Sequence, residues 1–529
     1  MSRRFVDRSD RLARLRRATL LAPVVAAALI LAGASSASGN GTAVTLQIDA
    51  AHDGIQVDAA LNPPFLRRWV LEFSDSVSYP LIAEGKVFVI VSTYPAYGTV
   101  LYALDQADGS VTWSQPIPGT YYWSAAAYEN GRVFVINFDG VLRAFDAGTG
   151  APEWSTLLSP QYSFSSAPSV SGGVVYVGGA GNGGTLFAVD AADGGVLASQ
   201  PVQNGDNSSP AISDSAVFVS YACNQTYAFT LVALTPIWRY SGPCSGGGGN
   251  TTVYSSGRLF TRDFFGNLLF DAATGSLLGE WGPRNDSMQA VEGDTMWGLS
   301  MFTPSGGVLV ARDVPTGATL WSFTGDGGLY GTPIVVSTAI SKLVVVTSTS
   351  GMLYVVNAFT GGLVWSANGG QPLPIYGHGT PDVGLGAGEG LLIVPVGNQL
   401  SAYEHNPTPT ANCNLDNYRR SKGALVLKNA DLRGCYLPNA DLANADATNA
   451  NMTDAYLAGA DLSGANLNQA RLVRTVLRNA DLSGARLSQA TLLGADLSGA
   501  NLTGITWLHT KCPDGTNSDD NGGTCVGNL

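Results

Sequence analysis

Five residues, Trp123, Asn207, Asp286, Tyr330 and His378, stand in or beside one short recurring segment, and their types are those that hold a small ligand. Rings give a stacking surface, the amide and carboxylate orient polar groups, and the imidazole can exchange a proton. The segment reads Val77-Ser-Tyr-Pro80, Trp123-Ser-Ala-Ala126, Ser165-Ser-Ala-Pro168, Asn207-Ser-Ser-Pro210, Tyr330-Gly-Thr-Pro333 and His378-Gly-Thr-Pro381, with Asn285 and Asp286 at the corresponding place in another copy. Aligning the copies puts their first residues around one axis. Solvated loop tips with an ordinary histidine are the competing account. A second constellation, Asn517, Asp519 and Asn521 before Gly522, fits the first half of a calcium loop, but position twelve is Asn528 where a bidentate Glu gives affinity. Cys512 and Cys525 bracket it, so a disulfide-closed turn competes with a metal site. No residues are assigned a catalytic role.

The segments belong to a repeat running from 66 to 405. Its clearest copies are Ala103, Asp105, Gly109, Trp113; Ala144, Asp146, Gly150, Trp154; and Ala311, Asp313, Gly317, Trp321. Ala198 replaces the Trp in one copy, the centre is eroded between Ala228 and Trp238, and Trp281 falls two positions late. Before each comes a Gly and an alternating apolar run, as in Gly131-Arg-Val-Phe-Val-Ile. Short strands at this spacing make the four-stranded blades of a propeller. Trp strands fall at 69, 113, 154, 198, 238, 281, 321 and 365, and Gly strands near 85, 131, 173, 215, 257, 293, 342 and 390, so each series has eight members, offset by one. An orphan strand at 65–73 therefore completes the last blade and closes the ring, which removes two open sheet edges.

This repeat resembles the pyrroloquinoline-quinone-like propeller repeats of quinoprotein dehydrogenases and of outer-membrane assembly lipoproteins of the same fold. The resemblance implies that the Trp docks on the neighbouring blade while Asp and Gly shape the turn before it. In the dehydrogenases it implies pyrroloquinoline quinone held over the axis by a vicinal Cys pair, a Trp and a calcium site. This chain has no adjacent cysteines, so nothing in that site transfers residue by residue.

Beyond the propeller a period of five takes over. An apolar residue, nearly always Leu, falls at every fifth position from 427 to 507, giving 17 pentapeptides such as Ala460-Asp461-Leu462. Neither 3.6 nor 2 divides five, and four pentapeptides make one square coil with the Leu turned inward. The pattern is similar to the pentapeptide-repeat family, which implies a right-handed quadrilateral β-helix. Positions 20 apart share a face, so Asp441, Asp461, Asp481 and Asn501 form one column, and Tyr436 and Tyr456 stack on another face.

The fold class is thus all-β, an eight-bladed propeller followed by that β-helix. Residues 1–37 form a signal peptide, with seven Arg before an apolar run; 38–61 form an N-terminal linker; 62–405 form the propeller. A linker and cap at 406–423, the β-helix at 424–507 and a tail at 508–529 complete the chain. Removing the signal changes the net charge from −12 to −17, which argues against nucleic acid as partner. No membrane span remains after the signal. Six cysteines in an exported chain allow fifteen pairings, of which the sequential one, Cys223 with Cys244, Cys413 with Cys435 and Cys512 with Cys525, is favoured, with a reduced core Cys435 as the competing account. The expected function is an exported, non-catalytic scaffold, in the periplasm, at the cell surface or outside the cell, that binds a protein or another extracellular macromolecule. No cofactor is required. The alternative is a dehydrogenase dependent on pyrroloquinoline quinone and calcium, or a small-ligand binder, using the channel mouth.

Overall fold

The computed structural model describes residues 41–222, 225–243, 249–263, 266–282, 287–303, 306–339, 341–369, 384–405, 413, 415–435, 437, 439–453, 455 and 457–527. Strands dominate, and among the described residues the only helices are two short 3-10 turns. Six four-stranded antiparallel sheets cover 81–117, 124–157, 169–201, 211–241, 253–280, and 386–405 with Phe65–Glu72. A nine-stranded sheet holds two more four-strand groups, 290–323 and 329–368, joined where Gly307 pairs with Leu329. We read that sheet as two blades, which makes eight among the described residues, and number the blades from 81–117 round to the closing blade at 386–405. Phe65–Glu72 pairs antiparallel with Gln399–His405, so the orphan strand closes the ring as its register predicts.

The repeated Trp and Gly form one joint. Trp113 Nε1 donates to Ala147 O at 3.0 Å on the next blade, and Trp69, Trp154, Trp238 and Trp321 do the same to Gln106, Ala191, Ala272 and Ala358. Each ring lies on the next blade's glycine: a Cβ at Gly150 would stand 2.6 Å from Trp113, and at Gly275 2.5 Å from Trp238. Both glycines also have positive φ, so side chains are excluded twice. The eroded copy obeys the same rule in reverse. Ala198 leaves the space empty, and Leu234, at the glycine's position on the next blade, fills it with φ +51° and no exposure. Trp281, two residues late, instead bonds Thr261 O in its own blade, and nothing lies near a Cβ on Gly317. Ala198→Trp alone should therefore overpack the joint and lower stability by roughly 1 to 3 kcal/mol. Adding Leu234→Gly should return most of it. A double-mutant cycle by urea denaturation checks this, and strict additivity would show that the two sites do not share a space.

Residues 41–57, part of the expected linker at 38–61, are not a linker. They make a full circuit inside the ring, against the C-terminal ends of the innermost strands. Backbone N–H groups of Ile82, Tyr128, Ile212, Tyr254, Val291, Val335 and Glu389 donate to the carbonyls of Ala43, Val44, Ala50, Ala51, Asp53, Gly54 and Gly41. Thr45 Oγ1 reaches Pro168 O at 2.8 Å, which covers the remaining blade. Gly41 N–H donates to Val57 O at 3.1 Å, so the circuit meets its own end, and Ile55–Val57 adds a parallel strand to Leu329–Ser337. The physical reason is plain: inner-strand edges that face a channel need acceptors, and this segment supplies them.

From 426 onward parallel bridges link residues 20 apart, among them Asp441 to Asp461 to Asp481 to Asn501, so four pentapeptides make a coil as the period predicts. The inward Leu and Ala are buried, Leu467 completely. Each coil turns its corner at a residue of positive φ two positions after the Leu, for example Asn429, Gly434, Gly464 and Asn479, a spacing that Asn and Gly tolerate best. In the acidic column Oδ1 of Asp461 and Asp481 accepts the N–H of Ser463 and Ser483, both at 2.9 Å. The carboxylates hold the corners. Cys413 pairs with Cys435 and Cys512 with Cys525, fastening the two ends of the rod. Cys223, Cys244, Tyr436 and Tyr456 lie outside the described residues.

Candidate functional site

At the mouth, the recurring segments bring hydroxyl groups to the start of each inner strand, and most of these bond within or between blades. Ser165 Oγ and Ser166 Oγ accept the N–H groups of Asn207 and Ser208, at 3.2 and 3.0 Å, across one repeat. Thr251 Oγ1 accepts from Ser209 N–H at 3.1 Å, Ser78 Oγ accepts from Ile90 N–H at 2.9 Å, and Thr99 Oγ1 donates to Ser124 Oγ at 2.9 Å. The segment thus recurs because the ring needs it. Of the residues expected to line the mouth, Trp123 is turned into the core and only 5% exposed, a correction to its expected place on the channel. Asn207 is exposed, at φ +57°. Tyr330 is 40% exposed beside a shallow cleft with Thr332, Thr347, Leu385 and Pro395, and its carbonyl accepts from Thr347 Oγ1 at 3.1 Å. No hydrogen bond or ring contact joins these three among the described residues, and Asp286 and His378 lie outside them. Repeat alignment predicts which end of a strand a residue occupies, but not which way its side chain turns.

In the C-terminal tail, Asn517 accepts from Asp519 N–H at 3.0 Å and caps a 3-10 turn. Asp519 accepts from His509 N–H at 2.9 Å and pairs with its imidazole, while Asn521 Nδ2 donates to Thr516 Oγ1 at 2.6 Å. All three side chains hold the turn closed. Among the described residues no group of three or more His, Cys, Asp or Glu is placed to hold a metal ion.

The titratable groups that sequence reasoning missed lie on the inner circuit. His52 is fully buried; its Nδ1 lies 2.7 Å from Leu46 O and its Nε2 3.0 Å from Ser169 Oγ. Nε2 also lies 3.1 Å from Pro210 O, so each ring nitrogen faces a carbonyl, and burial pushes the imidazole down to about 4 against the pull of both. Burial first, then the charge of Asp49, pushes Asp53 up to about 8, and burial pushes Asp49 up to about 6. Asp49, His52 and Asp53 carry no repeat. Their one sequence signal is three ionisable residues within five positions.

Among known proteins, the chain matches the family model described as outer membrane protein assembly factor BamB over residues 50–233, 230–372 and 270–408. It matches pentapeptide repeats over 426–464, 455–492 and 465–504. The dehydrogenase subunit of the quinone alcohol dehydrogenase of Gluconacetobacter polyoxogenes is 26% identical over 319 residues, 55% of this chain and 39% of that protein. The chain spans about two-fifths of the length of the curated relatives it matches. Of solved structures, a europium-containing methanol dehydrogenase gives a TM-score of 0.55 at 12% identity over 69% of this chain and 98% of its own. The quinohemoprotein alcohol dehydrogenase of Comamonas testosteroni gives 0.54 at 13% over 73% and 84%. Such identities speak for fold alone.

The fold raises pyrroloquinoline quinone as a ligand, a planar tricarboxylate that needs flat walls and several cationic or N–H donors. Val77, Trp123, Ser165, Asn207 and Tyr330, the described first residues of inner-strand segments, include no cation; Val77 and the Trp123 ring are buried, and the Ser165 hydroxyl accepts from the next blade. These described residues alone do not make the site it needs.

Proposed function

We propose, for a chain that belongs to the family of the outer membrane protein assembly factor BamB and carries a pentapeptide-repeat rod, that it is an exported, non-catalytic scaffold whose eight-bladed ring and rod bind another macromolecule. One observation carries this reading: the residues that recur are taken up by folding. The Trp and Gly dock blades, the Asp closes turns, and the mouth hydroxyls tie inner strands together. The family's printed role, outer membrane protein assembly factor, supports export and a protein partner, and the basic, apolar stretch at 1–37 supports export.

The names of the curated relatives favour the second reading, a quinone-dependent dehydrogenase. Titrating the purified protein with pyrroloquinoline quinone and calcium separates the two. We expect no saturable binding and no dye reduction with alcohols or sugars. Stoichiometric binding followed by alcohol-dependent dye reduction would replace the scaffold by the enzyme.

A further inference from the structure

We propose that a tyrosine platform at the junction of blades 1 and 2 binds a neutral, β-linked glycan. This rests on the scaffold reading and names the class of its partner.

Two loops build the platform. Residues 93–98 join the second and third strands of blade 1, and residues 118–123 carry the chain into blade 2. Tyr97 stacks on Tyr122 with centroids 5.0 Å apart and planes 24° apart, while Tyr94 meets Tyr122 at 5.4 Å and 61°. Tyr121 joins Tyr122 at 5.7 Å and rests on Phe138 at 4.8 Å, which anchors the cluster to blade 2. Tyr94 and Tyr97 nonetheless leave 63% and 64% of their surface in solvent. Single exposed apolar residues need no explanation, but a contiguous aromatic cluster does.

The loops are held before any ligand arrives. Gly98 N–H donates to Tyr121 O at 2.9 Å, and Thr93 Oγ1 spans its own loop to Ala96 O and Gly98 O at 2.9 and 2.8 Å. Asp139 accepts Thr120 N–H at 2.8 Å, and Asn137 Nδ2 donates to Pro118 O at 2.9 Å. A rigid aromatic surface binds with little ordering cost.

Chemistry selects the occupant. Rings already in contact leave no space between them for a cation, so this is not a cage for a quaternary ammonium. Neither loop contains Lys or Arg, and the chain's net charge is −12, which disfavours sulfated, phosphorylated or nucleic-acid polymers. Tyr94 and Tyr97 stand mostly in solvent and do not wall the groove that a polyproline helix needs. A pyranose with equatorial hydroxyls presents a flat C–H face to stack on such rings, and its hydroxyls can meet the phenols and the Thr120 and Asp139 edge.

The test is calorimetric titration of the full chain with cellohexaose, xylohexaose and chitohexaose, with octaproline in parallel. Saturable binding of at least one hexasaccharide is expected, weakened about tenfold or more in Tyr97→Ala and in Tyr122→Ala. Tyr97→Phe should stay within about threefold, and Tyr162→Ala, an exposed tyrosine outside the cluster, should change nothing. Unaltered thermal melts show that the variants are folded. Absence of binding by all three sugars, equal binding in Tyr97→Ala, or octaproline binding tighter than every sugar overturns the proposal. None of those results supplies quinone-dependent dye reduction, the outcome that would overturn the scaffold itself.

Discussion

Leu467→Ala is expected to lower the stability of the rod by about 2 to 5 kcal/mol, because its side chain is fully enclosed by the coils on either side and the cavity left cannot collapse without breaking their stacking. Leu472 N–H and Leu467 N–H each bond to the coil above, at Thr491 O and Arg486 O, so damage passes along the stack. A freely hinged junction between propeller and rod would confine that damage to the rod. The fold argues otherwise. Val476 of the rod is 2% exposed and belongs to one cluster with Leu329, Met352 and Tyr354 of blade 7, with Ala458 beside it, and the charge of Asp326 reaches Arg478. Calorimetry of Leu467→Ala should therefore show the rod transition falling most and the propeller transition falling with it by less. Val476→Asp should shift the propeller transition by itself, since a buried valine contributes about 1.5 to 3 kcal/mol. A propeller transition unmoved by Val476→Asp would mean that the contact does not couple the two.

The parts of this fold that a reader can find in the sequence are those that repeat. The fifth-residue Leu, the coil of twenty, the Trp-to-Gly joint and the closing strand at 65–72 all follow from spacing, because each coil or blade must satisfy the same geometry as its neighbour. Departures are readable only in pairs: Ala198 and Leu234 each look like erosion, and only their place in one packed cluster ties them together. The candidate site was less readable. Ser78, Ser165, Ser166 and Thr251 resemble ligand-binding groups until their backbone partners are seen, and Trp123 marks a strand start while its ring packs inward. The inner circuit at 41–57 is short, mixed in polarity and unique, so no period announces it. The tyrosine platform was hidden for a related reason, since Tyr94 and Tyr97 meet Tyr122 only through a loop-to-loop contact specific to one junction.

The two carboxyl groups of the circuit are expected to make stability fall as pH rises, the reverse of ordinary acid denaturation. Asp53, pushed up to about 8 by burial and then by Asp49, binds a proton in the fold that the unfolded chain releases above its usual carboxylate value. Its contribution is therefore full at low pH and is lost as pH rises toward about 8. Asp49 behaves likewise up to about 6. His52 has the opposite sign: held neutral in the fold down to about 4, it costs stability as pH falls below its ordinary value near 6.5. Above that value only Asp53 still titrates within the circuit, with Glu292, itself paired to Lys342, as the outer charge acting on it. One proton over that interval corresponds to a loss of roughly 2 kcal/mol between about pH 6.5 and about pH 8.5. Urea midpoints measured at those two values should fall accordingly, and Asp53→Asn, which keeps the acceptor for Ile55 N–H but cannot ionise, should flatten the decline and leave the protein more stable at the alkaline end. A midpoint that holds steady in the parent chain, or a decline that survives in Asp53→Asn, would show that the carboxyl does not keep its proton inside the ring.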